Sequence, residues 1–250
     1  MLRQFIGANR RCAKAMAAKW PGVFGAPSPS YLQSIKHRID HIIDTESPDS
    51  VLEAGGVDRP MIARSDRFTF IGVDIDERPD CSVLYDEFIV QSIEDPLQKE
   101  VGMVLSFTLM EHVPNNAKAV KSMFESLKPG GTTHHYIPSK HHPYSLALRA
   151  VGPMLQKKLI PHLRPGAEDV TGYPTFFDHC TPGQMERLFK KQGFTDVEVR
   201  PYYRANDYFA FFLPLYVAVS LFENLCKAVG LRAFASGFTL HARKPATLAS

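Results

Sequence analysis

The sequence predicts an α/β fold, in which helices cover both faces of a mostly parallel, seven-stranded sheet. Three observations predict it. Strand-like and helix-like patterns alternate from residue 50 to residue 137, the apolar segment VLEAGG at 51–56 ends in an acid and two glycines, and FIGVDID at 70–76 ends in acids. Such alternation is typical of parallel sheets. A chain of 250 residues is long enough for one such domain with embellishments.

Residues 1–46 are predicted to form an N-terminal basic helical segment and linker. Residues 1–20 favour a short helix, the Pro-, Gly- and Ser-rich stretch 20–30 favours a linker, and 31–43 regain helical spacing. No Asp or Glu occurs before Asp40, whereas seven Lys and Arg do. This pattern is typical of a solvated helix and equally of a transit or membrane-surface segment.

The predicted main domain, residues 47–250, contains the seven strands and two helices with clear boundaries. One helix, 116–127, is expected to close on the turn LKPGG at 127–131. The other, 182–192, has Thr181 as N-cap, Pro182 at its first position, Gln184 in a capping box and Gly193 at its end. The strands are predicted near 50–54, 68–74, 87–91, 101–107, 132–137, 194–200 and 237–243.

Two helical insertions are predicted, near 138–180 and 202–235. The second contains 207–225, the most apolar part of the chain, which is shorter than the ~20 uninterrupted apolar residues of a bilayer span and which we expect Pro214 to divide. One interpretation is a buried helix pair that covers the sheet or a dimer surface. The other is an arm that dips into a membrane or lines a lipid-sized pocket.

Composition excludes some classes of protein and leaves others open. A net charge of +3 without a basic run gives no reason to expect nucleic acid as a partner. The four cysteines lie far apart and form no CxxC pair, which favours reduced thiols over disulfides or zinc. We expect a cytoplasmic protein, or one peripheral to a membrane. The oligomeric state is not predicted.

Four segments in order, VLEAGG, GVDID, SFTLMEHV and LKPGG, resemble class I S-adenosylmethionine-dependent methyltransferases, specifically the small-molecule, type-11-like enzymes. The resemblance covers residues 48–137 well and 181–243 by topology. It implies a Rossmann-like three-layer sandwich and S-adenosyl-L-methionine as cofactor. The acceptor it implies is a small molecule, a glycan or a lipid-like amphiphile.

Position by position, the resemblance implies a set of cofactor contacts. The methionine moiety would lie against Glu53, Gly55 and Gly56 in the turn after the first strand, and the ribose hydroxyls would bind Asp74. Ile75 would cover one face of the adenine, and Gln91, Ser92 and Ile93, after the third strand, would line its edge. Ser106 and Phe107, at the end of the fourth strand, would lie beneath the sulfonium.

The glycine turn departs from the family's acid-x-Gly-x-Gly-x-Gly pattern. Val57 and Arg59 occupy the second and third glycine positions, and Gly56 falls between them. Because a β-branched residue disfavours positive φ, we expect the turn to begin at Gly56 or to follow another course.

Candidate residues for the acceptor and the chemistry follow the fourth and fifth strands. Weak catalytic candidates are Glu111, His112, His141 and His142, and a structural role for the first two is the stronger alternative. His134 and His135 are adjacent in a strand and point to opposite faces, so we expect no metal site there. The predicted acceptor wall, beneath the two insertions, is formed by Tyr144, Tyr173, Phe176, Phe177 and His179.

The sequence is therefore compatible with three functions. The first is methyl transfer, and the second is a catalytically inactive methyltransferase-like binding protein, suggested by the altered glycine turn. The third is a nicotinamide-dependent enzyme, which is disfavoured because no G-x-G-x-x-G follows the first strand.

Overall fold

A computed structural model describes residues 2–163 and 173–246. Part of the predicted 138–180 insertion, residues 164–172, therefore lies outside the described residues. The helices are α1 Leu2–Lys19, α2 Pro21–Phe24, α3 Tyr31–Glu46, α4 Cys81–Leu84, α5 Asn116–Ser126, α6 Pro143–Leu163, α7 Pro182–Gln192 and α8 Leu213–Ala228. The strands are β1 Ser50–Ala54, β2 Thr69–Asp74, β3 Glu87–Val90, β4 Val101–Phe107, β5 Leu127–Pro138, β6 Thr195–Tyr202 and β7 Gly237–Arg243.

The seven strands form one sheet in the order β3-β2-β1-β4-β5-β7-β6. The pairs β3–β2, β2–β1, β1–β4 and β4–β5 are parallel. Strand β7 is antiparallel to β5, because Gly130 and Gly131 near the start of β5 bond to Lys244, just after the end of β7. The predicted mostly parallel, seven-stranded sheet is confirmed. Because β1, β2 and β4 run parallel, their carboxyl ends lie together at one edge of the sheet.

Apolar clusters cover the two faces of the sheet. On one face, Leu52, Ile71 and Val104 pack with Met123 of α5 and Phe189 of α7. On the other, Val51 and Phe70 pack with isoleucines of α3. Alternate residues of β1 and β2 thus point to opposite faces. By this alternation, the side chains of Glu53 and Asp74 fall on the α3 face.

The predicted boundaries of α7 and β7 are confirmed. Thr181 Oγ1 accepts a hydrogen bond from Gln184 N at 3.3 Å, Pro182 lies in the first turn, and Gly193 ends α7 with a φ of 105°. A left-handed residue after the last turn satisfies helical carbonyl groups, and glycine adopts that conformation without steric cost.

One prediction about local structure is wrong. LKPGG does not form a separate turn, since α5 ends at Ser126 and residues 127–131 already belong to β5, with a register irregularity opposite Val101 and Met103. Pairing with β4 and β7 at this point overrides the turn propensity of Pro129 and Gly130.

The apolar segment 207–225 is divided near Pro214. A 3₁₀ helix covers Asn206–Phe209, and α8 begins at Leu213 with Pro214 in its first turn, where a missing N–H costs nothing.

The chain divides into two compact units. The helical unit comprises 1–30, 138–175 and 201–237, and the sheet unit comprises 31–137, 176–200 and 238–250. Helix α3 belongs to the sheet unit. Within the helical unit, α8 contacts both α1 and α2.

The cysteines are free thiols; Cys12 is exposed, and Cys81, Cys180 and Cys226 are buried. Within residues 2–163 and 173–246, no helix is long and apolar enough to cross a membrane. In the same ranges, no group of three or more His, Cys, Asp or Glu side chains is arranged to hold a metal ion.

Candidate active site

The turn after β1 begins at Gly55. Its N–H donates to the carbonyl of Val73 in β2 at 2.9 Å, and its φ is 83°. A Cβ at this position would lie 3.0 Å from Leu109 Cδ1. Both the backbone conformation and the lack of space require glycine here. The turn thereby places the first loop directly beside the end of β2.

Gly56 lies on two buried polar groups of the α3 face. A Cβ on Gly56 would lie 2.4 Å from the hydroxyl of Tyr85 and 2.8 Å from Glu53 Oε1. Tyr85 and Glu53 are each 1% exposed. Glu53 Oε1 accepts the N–H of Met61 at 2.7 Å, but Glu53 Oε2 and the Tyr85 hydroxyl have no hydrogen-bond partner among the described residues.

Burial controls the charge of Glu53. Desolvation raises its pKa to about 7, against the opposing effect of the N–H groups of Met61 and Ile62. The pKa of Tyr85 is raised as well, first by desolvation and then by the negative charge of Glu53. A buried acceptor and a buried hydroxyl without partners are costly in a folded protein. Their chemistry suits a polar ligand with an ammonium group at the turn, so these residues fit the methionine moiety of the cofactor.

Val57 adopts a positive φ of 44°, contrary to the sequence-based expectation that it would not. The conformation is rare for a β-branched residue and marks local backbone strain. The following residues hold the loop in place: Asp58 forms an ion pair of 2.5 Å with Arg78 from the loop after β2, and Met61 is buried in the core. The two loops that flank the turn are therefore tied to each other.

Asp74 ends β2 and is partly exposed at the same edge. Its Oδ1 accepts the N–H of Asp76 at 3.0 Å, and desolvation raises its pKa while that hydrogen bond lowers it. Ile75, the next residue, is 69% exposed. A carboxylate beside an exposed aliphatic side chain can bind ribose hydroxyls and cover a flat base.

The segment after β3 begins with a hydrogen bond from Gln91 N to Asp74 O at 2.9 Å. The Gln91 amide donates to the carbonyl groups of Asp95 and Pro96, and Ser92 Oγ accepts from Glu94 N. Ile93 is buried in the core cluster of the α5–α7 face. Gln91 and Ser92 thus lie next to Asp74, whereas the Ile93 side chain faces away from solvent.

Ser106 and Phe107 end β4 and differ in exposure. The Ser106 side chain is fully buried, and its Oγ lies 2.7 Å from His135 Nδ1. It therefore faces the core rather than a ligand at the edge. Phe107 is partly exposed and stacks on Tyr136, with a ring-centroid separation of 5.1 Å; Tyr31 of α3 stacks on Tyr136 at 4.1 Å.

Glu111 and His112 lie in a short 3₁₀ helix after β4. Glu111 is buried, its Oε2 has no hydrogen-bond partner among the described residues, and desolvation raises its pKa to about 8. Its carbonyl accepts the N–H groups of Phe176 and Phe177. His112 is partly exposed, with Nε2 3.8 Å from Glu111 Oε1. Glu111 therefore joins the end of β4 to the segment at 176–177.

Of the predicted acceptor wall, three residues lie in the sheet unit. Phe176 is exposed, whereas Phe177 is 3% exposed and belongs to the core cluster with Met185 and Phe189. His179 is exposed and pairs with Asp178 at 2.7 Å. Phe176 and His179 are available to a ligand; the Phe177 side chain is not.

The remaining candidates lie in the helical unit. His142 is fully buried, its Nε2 lies 3.1 Å from Glu223 Oε1, and its Nδ1 accepts the N–H of Tyr144. The Tyr144 ring packs on Tyr208 at 3.8 Å between centroids. His141 packs near Phe234, and Tyr173 is exposed. The contacts of His142 hold the start of α6 against α8.

A cavity of the sheet unit lies away from this site. It has a volume of about 220 Å³ and lies near the amino-terminal half of β5, between Arg38, Thr132, His134 and His241. His134 Nδ1 is 2.7 Å from His241 Nδ1, and desolvation lowers the pKa of both side chains. His135 faces the opposite side of the sheet, against Phe189. Both His134 and His135 are buried.

Sequence reasoning did not identify Tyr85. The residue follows the short helix α4, 29 positions after Gly56, and no motif marks it. Its signal is tertiary, because the hydroxyl is recognisable only from its position beneath Gly56 without a partner.

Solved structures with this fold extend over most of the chain. Phosphoethanolamine N-methyltransferase 2 of Haemonchus contortus, in complex with phosphomonomethylethanolamine and S-adenosylhomocysteine, is 14% identical, with a TM-score of 0.52 and coverage of 98% of this chain. The chain spans 60% of the length of that enzyme. A Thermotoga maritima S-adenosylmethionine-dependent methyltransferase, described as a possible histamine N-methyltransferase, is 14% identical, with a TM-score of 0.51 and coverage of 98% and 100%.

The same fold also occurs in the [4+2]-cyclase SpnF, which is 13% identical, with a TM-score of 0.50 and coverage of 84% of this chain and 81% of its own. No curated protein matches the sequence. At this level of identity the solved structures establish the fold, and the reaction has to be argued from the site.

A family model for the methyltransferase domain matches residues 30–199. The matched region includes the turn after β1, Asp74, the segment after β3 and the end of β4. The chain therefore belongs to the methyltransferase-domain family and has the fold of class I S-adenosylmethionine-dependent methyltransferases.

Proposed function

We propose that this protein transfers a methyl group from S-adenosyl-L-methionine to a small amphiphilic acceptor, a glycan or lipid-like molecule. The observation that carries the proposal is the pair of unpartnered polar groups, Glu53 Oε2 and the Tyr85 hydroxyl, beneath Gly56. Asp74 is on the same face of the sheet and at the same edge. Glu53 at the end of β1 would bind the ammonium group of the cofactor, and Asp74 at the end of the neighbouring strand β2 would bind its ribose hydroxyls.

The cofactor is assigned to residues of the sheet unit alone. Glu53, Gly55 and Gly56 would hold the methionine moiety, with Tyr85 as an added contact, and Asp74 would hold the ribose. Ile75 would cover the adenine, with Gln91 and Ser92 at its edge. Because Ser106 Oγ already bonds to His135 Nδ1 and Ile93 packs in the apolar core cluster, we assign neither a direct contact with the cofactor.

When bound, the cofactor supplies an electrophilic methyl group on a sulfonium, and the reaction needs no metal. What remains for the chain is to bind, to orient the acceptor and to exclude water. Phe107 at the end of β4 and Phe176 and His179 shortly before α7 are proposed to contact the acceptor, because each is at least partly exposed. The assignment of Tyr144 and Tyr173, which belong to the helical unit, stays a prediction from the sequence.

A proton at the acceptor would be received by His112. Its ring is partly exposed, whereas Glu111 is buried and, with a pKa of about 8, is largely protonated at pH 7. Glu111 would position the 176–177 segment through its carbonyl. His142 is enclosed by Glu223 and Tyr144 and is assigned a structural role, and His141 stays a weak candidate.

Calorimetric titration with S-adenosylhomocysteine tests the proposal. We expect Asp74→Ala to weaken binding at least tenfold, which corresponds to about 1.4 kcal/mol. Asp76→Asn is the matched control, because Asp76 is exposed at the same loop and the variant keeps the main-chain N–H that donates to Asp74. Equal affinity of the wild type and Asp74→Ala would refute the ribose assignment.

A second function is a methyltransferase-like binding protein without catalysis. The strained Val57 in the altered glycine turn favours it. The melting temperature of the folded wild-type protein with millimolar S-adenosylmethionine or S-adenosylhomocysteine distinguishes the two functions. No increase in this temperature would favour the binding protein.

A further inference from the structure

The helical unit differs strongly in charge from the rest of the chain. Its described residues carry twelve Lys and Arg side chains and two acidic ones, Asp207 and Glu223. Glu223 is fully buried against His142, so Asp207 is the one exposed acid in the described part of this unit. The chain as a whole carries only +3. The cationic excess is therefore concentrated in the helical unit.

Helix α8 presents an uncharged apolar stripe to solvent. Its inward residues Tyr216, Val219, Glu223 and Cys226 are buried. The stripe on the other side consists of Ala218, Leu221, Leu225 and Val229, at spacings of three and four residues, and the last three are 54%, 60% and 59% exposed. Apolar stripes at helical spacing normally face a core. Here a second one faces outward.

The second half of α6 repeats this combination of properties. The helix is kinked at Gly152, where φ is 71°. After the kink, Met154, Leu155 and Leu159 are exposed, with Met154 at 85%, and they alternate with exposed Lys157 and Lys158. Exposed apolar side chains interspersed with cations are typical of a surface that lies at a membrane interface.

We propose that the helical unit binds the surface of an anionic phospholipid bilayer, with the α8 stripe among the headgroups and acyl-chain ends and the exposed Lys and Arg side chains of the unit at the phosphates. The positive charge of the helical unit favours an anionic lipid surface, rather than a second copy of the chain, as the partner of the α8 stripe. Two copies would bring like charges together, whereas anionic lipids attract them. No described helix can span the bilayer, so the unit lies on it. The proposal does not depend on the proposed methyl transfer.

Co-sedimentation of the full chain with vesicles tests it. We expect binding to phosphatidylcholine vesicles with 30% phosphatidylglycerol, weaker binding as salt rises, and at least tenfold weaker binding to pure phosphatidylcholine. Equal binding to both vesicles, or binding to neither, would overturn the proposal.

Variants locate the surface. Leu221→Ser/Leu225→Ser is expected to reduce partitioning at least tenfold, because it interrupts the stripe. Lys157→Gln/Lys227→Gln should reduce binding to anionic vesicles selectively. Val83→Ser/Val90→Ser is the control, since both side chains are exposed apolar residues of the sheet unit. Circular dichroism checks that each variant is folded.

Two results with these variants contradict the proposal. One is unchanged partitioning of the α8 variant. The other is a wild-type dimer in light scattering that Leu221→Ser/Leu225→Ser dissociates, since a second copy would then cover the stripe.

Discussion

Glu53 illustrates how one buried carboxyl group can serve both folding and binding. Its Oε1 satisfies the N–H of Met61 and so fixes the loop after β1, while its Oε2 is left without a partner. With a pKa of about 7, the group is about half protonated at neutral pH. A cationic ligand group at Oε2 would favour the ionised form, so binding of the methionine ammonium should release a proton and strengthen as pH rises through 7.

Glu53→Gln should therefore separate stability from binding. Because the pKa of Glu53 is raised from its ordinary 4.5 to about 7 on folding, its contribution to stability is present below pH 4.5 and is lost as pH rises through 7, by about 3 kcal/mol in total. The amide cannot ionise. We expect the variant to be more stable than the wild type at pH 8, by urea unfolding, and to bind S-adenosylhomocysteine at least tenfold more weakly.

Glu111→Gln is the control for this prediction. Its pKa is raised to about 8 by the same burial, so its loss should also stabilise the protein above that pH. Binding of the cofactor should not change, because Glu111 lies outside the assigned cofactor contacts. A Glu53→Gln variant with wild-type affinity would remove the methionine contact from the proposal.

At the scale of elements, the backbone conformation of the loop between β1 and β2 is tightly constrained. Gly55 and Val57 both adopt positive φ, Gly56 has no room for a side chain, and Asp58 is held by Arg78. The loop is thus determined by contacts with β2 and its following loop, which come from a different part of the chain. A regular glycine-rich motif would reach such a turn without strain in a valine.

Gly56→Ala should disturb this loop. The new methyl group would lie 2.4 Å from the Tyr85 hydroxyl and 2.8 Å from Glu53 Oε1, so the loop has to shift. We expect a loss of about 1–3 kcal/mol of unfolding free energy, which is typical of overpacking, and a loss of cofactor binding by calorimetry.

A second substitution checks the cause. Tyr85→Phe removes the hydroxyl that the methyl group would meet first. Combined with Gly56→Ala, it should restore part of the stability, measured as a positive coupling in a double-mutant cycle. Additive effects of the two substitutions would show that the close approach of Gly56 to Tyr85 is not what limits the loop.

On the scale of the whole molecule, several histidines are buried as neutral groups in the sheet. Desolvation lowers the pKa of His135 to about 3 and that of His241 to about 4, and it lowers the pKa of His134 as well. His135 bonds to Ser106 and Thr133, and His134 to His241, on opposite faces of β5. The centre of the sheet is thus polar but uncharged.

Acid should unfold the protein through these groups. Because their folded-state pKa values lie below the ordinary 6.5, their contribution to stability is full above pH 6.5 and is lost as pH falls toward 4. We expect the urea midpoint to decrease steeply in this range. His241→Gln, which cannot be protonated, should flatten the dependence; a slope unchanged from wild type would exclude His241 as a contributor.

The seven strands, the boundaries of α7 and the acids at the ends of β1 and β2 were predictable from local patterns, whereas the predicted alternation with helices fails between β1 and β2 and between β3 and β4. Hydrophobic spacing, capping residues and strand-terminal acids act over a few positions, so a single sequence displays them. The continuous β5 was not predictable, because pairing with distant strands overrides the local preference of Pro and Gly.

The sequence by itself determined the fold class and the family resemblance, because both depend on residues within short segments such as VLEAGG and GVDID. Only the tertiary structure decided that Tyr85 lies beneath Gly56, that Val57 accepts a positive φ, and that His142 is enclosed by Glu223. Those features depend on which distant groups come together and lose contact with water, and burial of that kind is set by the packed chain as a whole.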